Sequence, residues 1–129
     1  MAFLTIRAEQ MAVFQEEIVR RFAEGLEVQI RERFPVEAEK IGPWRIKEFV
    51  LESVKAGTAL GLEGDEGIRF YVFLTVAFRP SFLERKATRW MGKYLKEEGA
   101  STETRLEGLI GAMEQDAAYE PFLQKALKK

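Results

Sequence analysis

Three carboxylates in a short glycine-containing link are the first residues to consider for chemistry. Glu63, Asp65 and Glu66 lie close together in the sequence, and carboxylate oxygens are ligands that hard divalent cations prefer. Their spacing does not match the calcium-binding loop, and acidic residues at the start of a helix are also explained by the helix dipole. A carboxylate-based enzyme is therefore an alternative hypothesis to ordinary helix stabilisation.

Two reactive residue types are absent from the sequence, and their absence excludes several kinds of chemistry. The chain of 129 residues contains no histidine and no cysteine. Histidine titrates near neutral pH, and cysteine supplies thiolate nucleophiles, disulfides and soft metal ligands. Serine–histidine and cysteine–histidine nucleophiles, zinc fingers, iron–sulfur centres and disulfides are therefore excluded. We predict a protein that is not an enzyme and that has no cofactor and no metal.

The most uneven charge lies between Arg79 and Lys96, where six basic residues accompany one acidic residue, Glu84. Four of the six recur at helical spacing: Arg85, Arg89, Lys93 and Lys96. The opposite face of such a helix would carry Ala87, Trp90, Met91, Tyr94 and Leu95, with the two large rings four residues apart and able to stack. Because the net charge is −1, the chain as a whole does not attract a charged partner, and such a partner would have to bind a local group of charges. An acidic protein surface, a nucleic acid and a plain solvated face stay open, although the acidic pI and the lack of a recognition motif argue against nucleic acid.

Apolar residues at element boundaries are a second candidate for partner binding. Ten phenylalanines and two tryptophans are many for a chain of this size to bury, so some are expected to face a partner. The candidate pairs are Phe3 and Leu4, Phe82 and Leu83, and Phe122 and Leu123. Each pair has the alternative of packing as a hydrophobic staple or a docked tail. The predicted partner-binding site combines the four basic residues with Phe82 and Leu83.

Helices have to position these residues. Apolar residues recur every three or four positions from Met11 to Ile30, which predicts a helix over 7–33 that stops before Pro35. A short turn is expected over 36–41. A second helix is predicted from Pro43 to Leu60, between the breaks at Gly42 and Gly61.

The most apolar segment, residues 68–78, has two interpretations. Its β-branched and aromatic content is typical of a strand, but one strand cannot form a sheet and no other segment alternates. We predict a central buried helix that Pro80 closes. A helix over 82–98, another capped by Ser101 or Thr102 and a tail helix from Pro121 complete an all-α fold. The expectation is a single domain over 1–129 with about five or six helices.

The sequence does not predict a membrane span or a leader. Its start lacks a basic region followed by a long apolar run. The longest uncharged stretch, residues 70–78, is far shorter than the roughly 20 apolar residues of a membrane span. We therefore expect a cytoplasmic protein, which the absence of cysteines permits.

Several short segments stand in a recognisable order between residues 4 and 83. They are LTIRAEQM, RRF, RERFP, the stretch from Gly57 to Gly61 and the apolar run from Phe70 to Phe78. In this order they resemble a family of small helical proteins that are often encoded beside type VI secretion spike and toxin genes, including PAAR-tip and polymorphic-toxin loci. Where that family has Phe-Gly-x-x-Phe-Asp, residues 78–83 read Phe-Arg-Pro-Ser-Phe-Leu, so the glycine and the terminal acid are replaced.

The resemblance implies a context and transfers no catalytic residue. It implies an accessory to a secreted toxin, or to the loading of that toxin on the spike. We expect a non-enzymatic adaptor or chaperone whose protein partner is an effector, toxin or spike component. An immunity protein that binds a cognate toxin and a nucleic-acid-binding helical domain stay open as alternatives, and a homodimer is compatible with the sequence.

Overall fold

Helices account for the regular structure of residues 8–128, the part of the chain that this computed structural model describes, with side chains described from residue 17 onward. Seven α-helices occur in that range: α1 (Ala8–Arg33), α2 (Pro35–Ile41), α3 (Ile46–Ala59), α4 (Asp65–Phe78), α5 (Gly92–Leu95), α6 (Thr102–Glu114) and α7 (Glu120–Ala126). Short 3₁₀ turns lie at Phe82–Glu84, Arg89–Met91 and Ala117–Tyr119. The same range contains no strand. The predicted all-α fold is confirmed, with more helices than the five or six expected.

The apolar helix α4 lies at the centre of one hydrophobic core. Nine of its fourteen residues are buried, so the prediction of a central buried helix is confirmed. The ring of Phe34, between α1 and α2, lies 5.4 Å from that of Phe73 in α4. The ring of Phe122 in α7 lies 5.7 Å from that of Phe70. Elements from both ends of the described chain therefore pack on α4.

A glycine lets α3 and α4 approach closely. A Cβ atom at Gly57 would lie 2.9 Å from Cδ1 of Tyr71, which is closer than real Cβ contacts. Residues 60–64 connect the two helices, so the chain folds back as an antiparallel helical hairpin. The start of α3 and the end of α4 consequently lie at the same end of the pair.

Arginine side chains satisfy carbonyl groups at the C-terminal ends of four helices. The last carbonyls of a helix have no partner within it, and cations also interact favourably with the negative end of the helix dipole. The bonds are Arg33 Nη1 to Ala126 O (3.1 Å), Arg105 Nη1 to Leu60 O (2.9 Å) and to Leu95 O (3.2 Å), and Arg85 Nη2 to Phe78 O. Arg33 and Arg105 thereby connect helices that are far apart in the sequence.

The predicted continuous helix over 82–98 is wrong. Two 3₁₀ turns and the single α-helical turn α5 replace it. Arg85 has an extended backbone (φ −86°, ψ 144°), and its side chain reaches back to the end of α4. The hydroxyl of Thr88 donates a hydrogen bond to the carbonyl of Phe82. Short backbone turns and these side-chain bonds thus take the place of the continuous helical ladder that the spacing predicted.

Other predicted boundaries are close to those observed. Helix α3 begins at Ile46 rather than Pro43, because residues 43–45 form a turn. Ser101 is the N-cap of α6, and its hydroxyl accepts a hydrogen bond from the backbone N–H of Thr104 at 3.1 Å. Of the two caps predicted, the structure therefore selects the serine.

Candidate functional site

Residues 79–96, which we call the basic segment, present their cations to solvent. All six are exposed: Arg79, Arg85, Lys86, Arg89, Lys93 and Lys96. Among the side chains of residues 17–128, one pair of opposite charges has a nitrogen–oxygen distance below 4.0 Å, and it joins Arg20 to Glu17. No cation of the basic segment is therefore neutralised by a carboxylate of the described chain.

Buried apolar residues fix the basic segment to the core. Met91 and Leu95 are fully buried, and Phe82 is 1% exposed. The ring of Phe82 lies 5.7 Å from that of Tyr71 in α4. The expectation that Phe82 is available to a partner is therefore wrong, because the side chain fills the core. Leu83 is half-buried and packs against the same core.

Arg85 differs from the other predicted site residues because its guanidinium is already engaged. Its Nη2 donates to the carbonyl of Phe78 and lies 3.1 Å from the carbonyl of Arg79 and 3.3 Å from that of Pro80. The side chain thus caps the end of α4. The structure separates this structural arginine from the cations that follow it.

Arg89, Lys93 and Lys96 lie on or directly after the continuous helical stretch formed by Arg89–Met91 and α5. Their spacing places them on one side of that stretch, while Met91 and Leu95 point into the core. The Nζ atom of Lys93 lies 5.8 Å from the ring centroid of Tyr94. These three cations are the part of the predicted site that forms a coherent surface.

Aromatic side chains support this surface from behind. The rings of Trp90 and Tyr94 meet edge to face, with centroids 6.2 Å apart and planes at 88°, so they touch without stacking. Trp90 Nε1 donates a hydrogen bond to the hydroxyl of Tyr119 at 3.1 Å. Ala87, predicted to face inward with these rings, is exposed.

Within the described residues, the other apolar candidate pair does not form a surface. Phe122 is 7% exposed and Leu123 is 8% exposed, so this pair docks the tail helix α7 into the core. Phe3 and Leu4 lie outside the described residues. The most exposed large apolar side chain of the described chain is instead Trp44, at 95%. It lies in the turn before α3, outside the apolar spacing of that helix.

The acidic link belongs to the start of α4. Asp65 and Glu66 occupy the first turn of that helix, where carboxylates interact favourably with the dipole. The backbone N–H of Glu63 donates a hydrogen bond to Oγ1 of Thr102 at 2.8 Å, which ties the link to α6. Within residues 8–128, no three side chains of the metal-binding types converge on one point. These contacts explain the link structurally.

A groove of about 970 Å³ runs along α3 and was not predicted from the sequence. We call it the α3 groove. Its walls come from α2, from α3, from α4 and from the turn at residues 79–81. The charged residues among its lining are Glu37, Lys40, Arg45, Glu48, Glu52 and Arg79. The groove therefore carries both signs of charge, unlike the basic segment.

Hydroxyl groups lie at the bottom of the α3 groove. Ser53 and Thr75 are buried polar residues, 4% and 5% exposed. Their hydroxyls donate to the carbonyls four residues earlier in their own helices, at 2.8 Å and 3.0 Å, which leaves the oxygen lone pairs able to accept. Burial raises the pKa of Tyr71 above its ordinary value, while a hydrogen bond with Thr75 opposes this shift. The phenol therefore stays protonated and can donate.

The turn at one end of the α3 groove has an unusual backbone. Arg79 has φ 75° and ψ 161°, and Ser81 has φ 65° and ψ 25°. Positive φ is costly for residues with a Cβ atom, and the conformation of Arg79 is one that glycine adopts readily. From the sequence, this turn is expected only as the stop of the central helix at Pro80.

Comparisons with known proteins add no further constraint on the function. The described helices include none with both the length and the apolar character that a membrane crossing requires. No protein-family model matches the sequence, and neither curated proteins nor solved structures provide a match.

Proposed function

We propose that this chain is a non-enzymatic accessory protein that binds an acidic surface of a protein partner through its basic segment. The observation that carries this proposal is the group formed by Arg89, Lys93 and Lys96, which is exposed and has no ion-pair partner in the described chain. The proposed partner is an effector, toxin or spike component of a type VI secretion system. The chain would act on it as an adaptor or chaperone.

The construction of the basic segment suits a preorganised binding surface. Met91 and Leu95 hold the helical stretch against the core, and the contact between Trp90 and Tyr119 supports it. Fixing a surface before binding lowers the entropy that association costs. A cluster of unpaired cations also attracts an acidic partner over a distance and favours the orientation in which the opposite charges meet.

The secretion context is supported by the resemblance of residues 4–83 and not by the charge pattern. The absence of histidine and cysteine removes the side chains best suited to proton transfer near neutral pH and to thiolate attack. Both considerations favour binding over catalysis. An adaptor and an immunity protein would use the same kind of surface, so an experiment has to separate them.

The proposal is tested by co-expressing this chain with an effector or spike protein encoded beside its gene. We expect a stoichiometric complex that survives size-exclusion chromatography at micromolar concentration. The combined Arg89→Glu, Lys93→Glu and Lys96→Glu substitutions should dissociate it. The matched control is Arg31→Glu, Lys47→Glu and Lys55→Glu, which changes the net charge equally at exposed positions outside both candidate surfaces.

Two outcomes would contradict the adaptor proposal. The first is that the wild-type proteins elute separately, and the second is that both triple variants bind as well as the wild type. Survival of cells that express an active toxin would indicate an immunity protein instead. Salt-dependent binding to duplex DNA that the first triple variant abolishes would indicate a nucleic-acid partner.

A further inference from the structure

We propose that the α3 groove binds a short polypeptide segment of the partner, with an acidic group at one end and a lysine or arginine further along. This inference rests on the proposed function, because it supplies the partner's second point of contact. It assigns a binding site to residues that the sequence did not single out.

Cations gather at one end of the groove. Arg45 immediately precedes α3, and Lys40 lies near the end of α2, which the short turn at residues 42–45 joins to α3. Arg79 follows the last residue of α4, and the antiparallel hairpin brings the end of α4 beside the start of α3. All three side chains line the groove. This end therefore suits a carboxylate, either of a side chain or of a chain terminus.

Carboxylates without ion-pair partners lie further along the groove. Glu48 and Glu52 are one helical turn apart on α3, both are exposed, and both line the groove. Across the side chains from residue 17 to 128, neither is paired with a cation. These two carboxylates suit a cationic donor. On α2, the Oε2 atom of Glu37 also belongs to the lining and is buried without a hydrogen-bond partner, although buried acceptors are normally satisfied.

The bottom of the groove combines apolar rings with hydrogen-bonding groups. Phe49 and Tyr71 supply apolar surface, and Ser53 and Thr75 supply hydroxyl oxygens able to accept. A peptide presents apolar side chains, backbone N–H groups and charges of both signs in one molecule. This combination matches the lining better than a ligand of a single charge.

The size of the groove is sufficient for a short peptide. Its face along α3 extends from Arg45 to Ala56, which is about 16 Å at the rise of an α-helix. Its volume of about 970 Å³ lies within the range of ligand pockets, about 300–1,000 Å³. The charges along the groove, rather than its volume, favour a peptide.

Arg79, the first cation of the basic segment, also lines the groove. The two surfaces therefore share this residue. We infer that the two surfaces bind one partner, with the groove recognising a linear segment and the basic segment recognising charge.

A phage-displayed library of linear peptides provides the probe. The library is selected on the wild-type protein and depleted on Ala56→Trp, which fills the groove from an exposed lining position. We expect enriched peptides with an acidic and a basic residue at a recurring spacing. A synthetic peptide of that sequence should bind the combined Glu48→Gln and Glu52→Gln variant about tenfold more weakly than the wild type. This corresponds to a loss of about 1.4 kcal/mol in binding free energy.

Control variants distinguish this inference from the proposed function. Glu103→Gln with Glu107→Gln removes an equally spaced pair of exposed carboxylates from α6 and should leave peptide affinity unchanged. Unchanged peptide affinity in the triple variant of residues 89, 93 and 96 supports a separate groove site even if the adaptor proposal fails. The inference is overturned if no peptide is enriched, or if the peptides bind Ala56→Trp and the α3 double variant as tightly as the wild type.

Discussion

The basic segment and the α3 groove meet at Arg79 but are built in different ways. The basic segment consists of 3₁₀ turns and one α-helical turn, and buried anchors such as Phe82 hold it in place. Its charges are positive except for one glutamate. The groove lies between regular helices, carries both signs and has buried hydroxyls such as that of Ser53. Charge of one sign favours rapid and salt-sensitive encounter, whereas charges of both signs in a concave site favour selection between partners. Exposed charge alone therefore does not define a site, because the residues that support it determine what it can recognise.

The largest expected effect comes from removing the anchor of the basic segment. Phe82→Ala should lower the free energy of unfolding by about 3–5 kcal/mol, because a fully buried ring is replaced by a cavity. Trp44→Ala, at the most exposed apolar residue, should change it by less than about 0.5 kcal/mol. Urea unfolding followed by circular dichroism measures both. Equal losses would mean that Phe82 does not anchor the segment.

Two arginines of the basic segment should behave differently. Arg85→Ala should lower the free energy of unfolding by about 1–2 kcal/mol, because the carbonyls at the end of α4 lose their donor. Arg89→Ala should leave stability unchanged, since no hydrogen bond or ion pair of its side chain occurs in the described chain. The comparison is made by thermal and urea unfolding of the three proteins. A stability loss for Arg89→Ala as large as that for Arg85→Ala would remove the distinction between a structural and a free cation.

The strained turn at Arg79, a residue that both surfaces share, provides a smaller effect on the free energy of unfolding. Arg79→Gly should be more stable than Arg79→Ala by about 1 kcal/mol, because glycine adopts positive φ without the clash of a Cβ atom. Both variants lose the same charge, so the difference between them isolates the backbone. Paired urea titrations provide the measurement. If alanine is as stable as glycine at this position, the turn is not strained.

The smallest effect concerns the phenol in the groove. Burial raises the pKa of Tyr71 above its ordinary value of 10.0, so the folded state holds this proton more tightly than the unfolded state. The corresponding stability is present below about pH 10 and is lost as the pH rises through the folded pKa. Tyr71→Phe should therefore lose less stability than the wild type between about pH 9 and about pH 11. Parallel losses in the two proteins would contradict a buried, protonated phenol.

Periodicity predicted the long elements well and the short ones poorly. The apolar run around Val72 predicted α4, because a helix apolar on all sides has to be buried. The segment after Pro80 also has helical spacing, but Arg85 leaves the helical conformation and caps α4. A side-chain bond to a carbonyl seven residues earlier leaves no trace in the apolar periodicity of the sequence.

The candidate site was predicted in part. The exposed cations Arg89, Lys93 and Lys96 could be identified from charge and spacing, and the structure places them on one surface. The burial of Phe82 could not be identified, because an apolar pair at a boundary is equally typical of a core and of an interface. The α3 groove was missed because its walls come from four separate segments.

Titration with an acidic polypeptide measures whether the basic segment binds acidic chains. Poly-L-glutamate is added to the wild type and to the combined Arg89→Glu, Lys93→Glu and Lys96→Glu variant, at about 50 mM and about 200 mM salt. We predict that the wild type binds, that its affinity falls with salt and that the variant binds at least about tenfold more weakly. Equal binding by the two proteins, or no binding by the wild type at the lower salt concentration, would contradict the account.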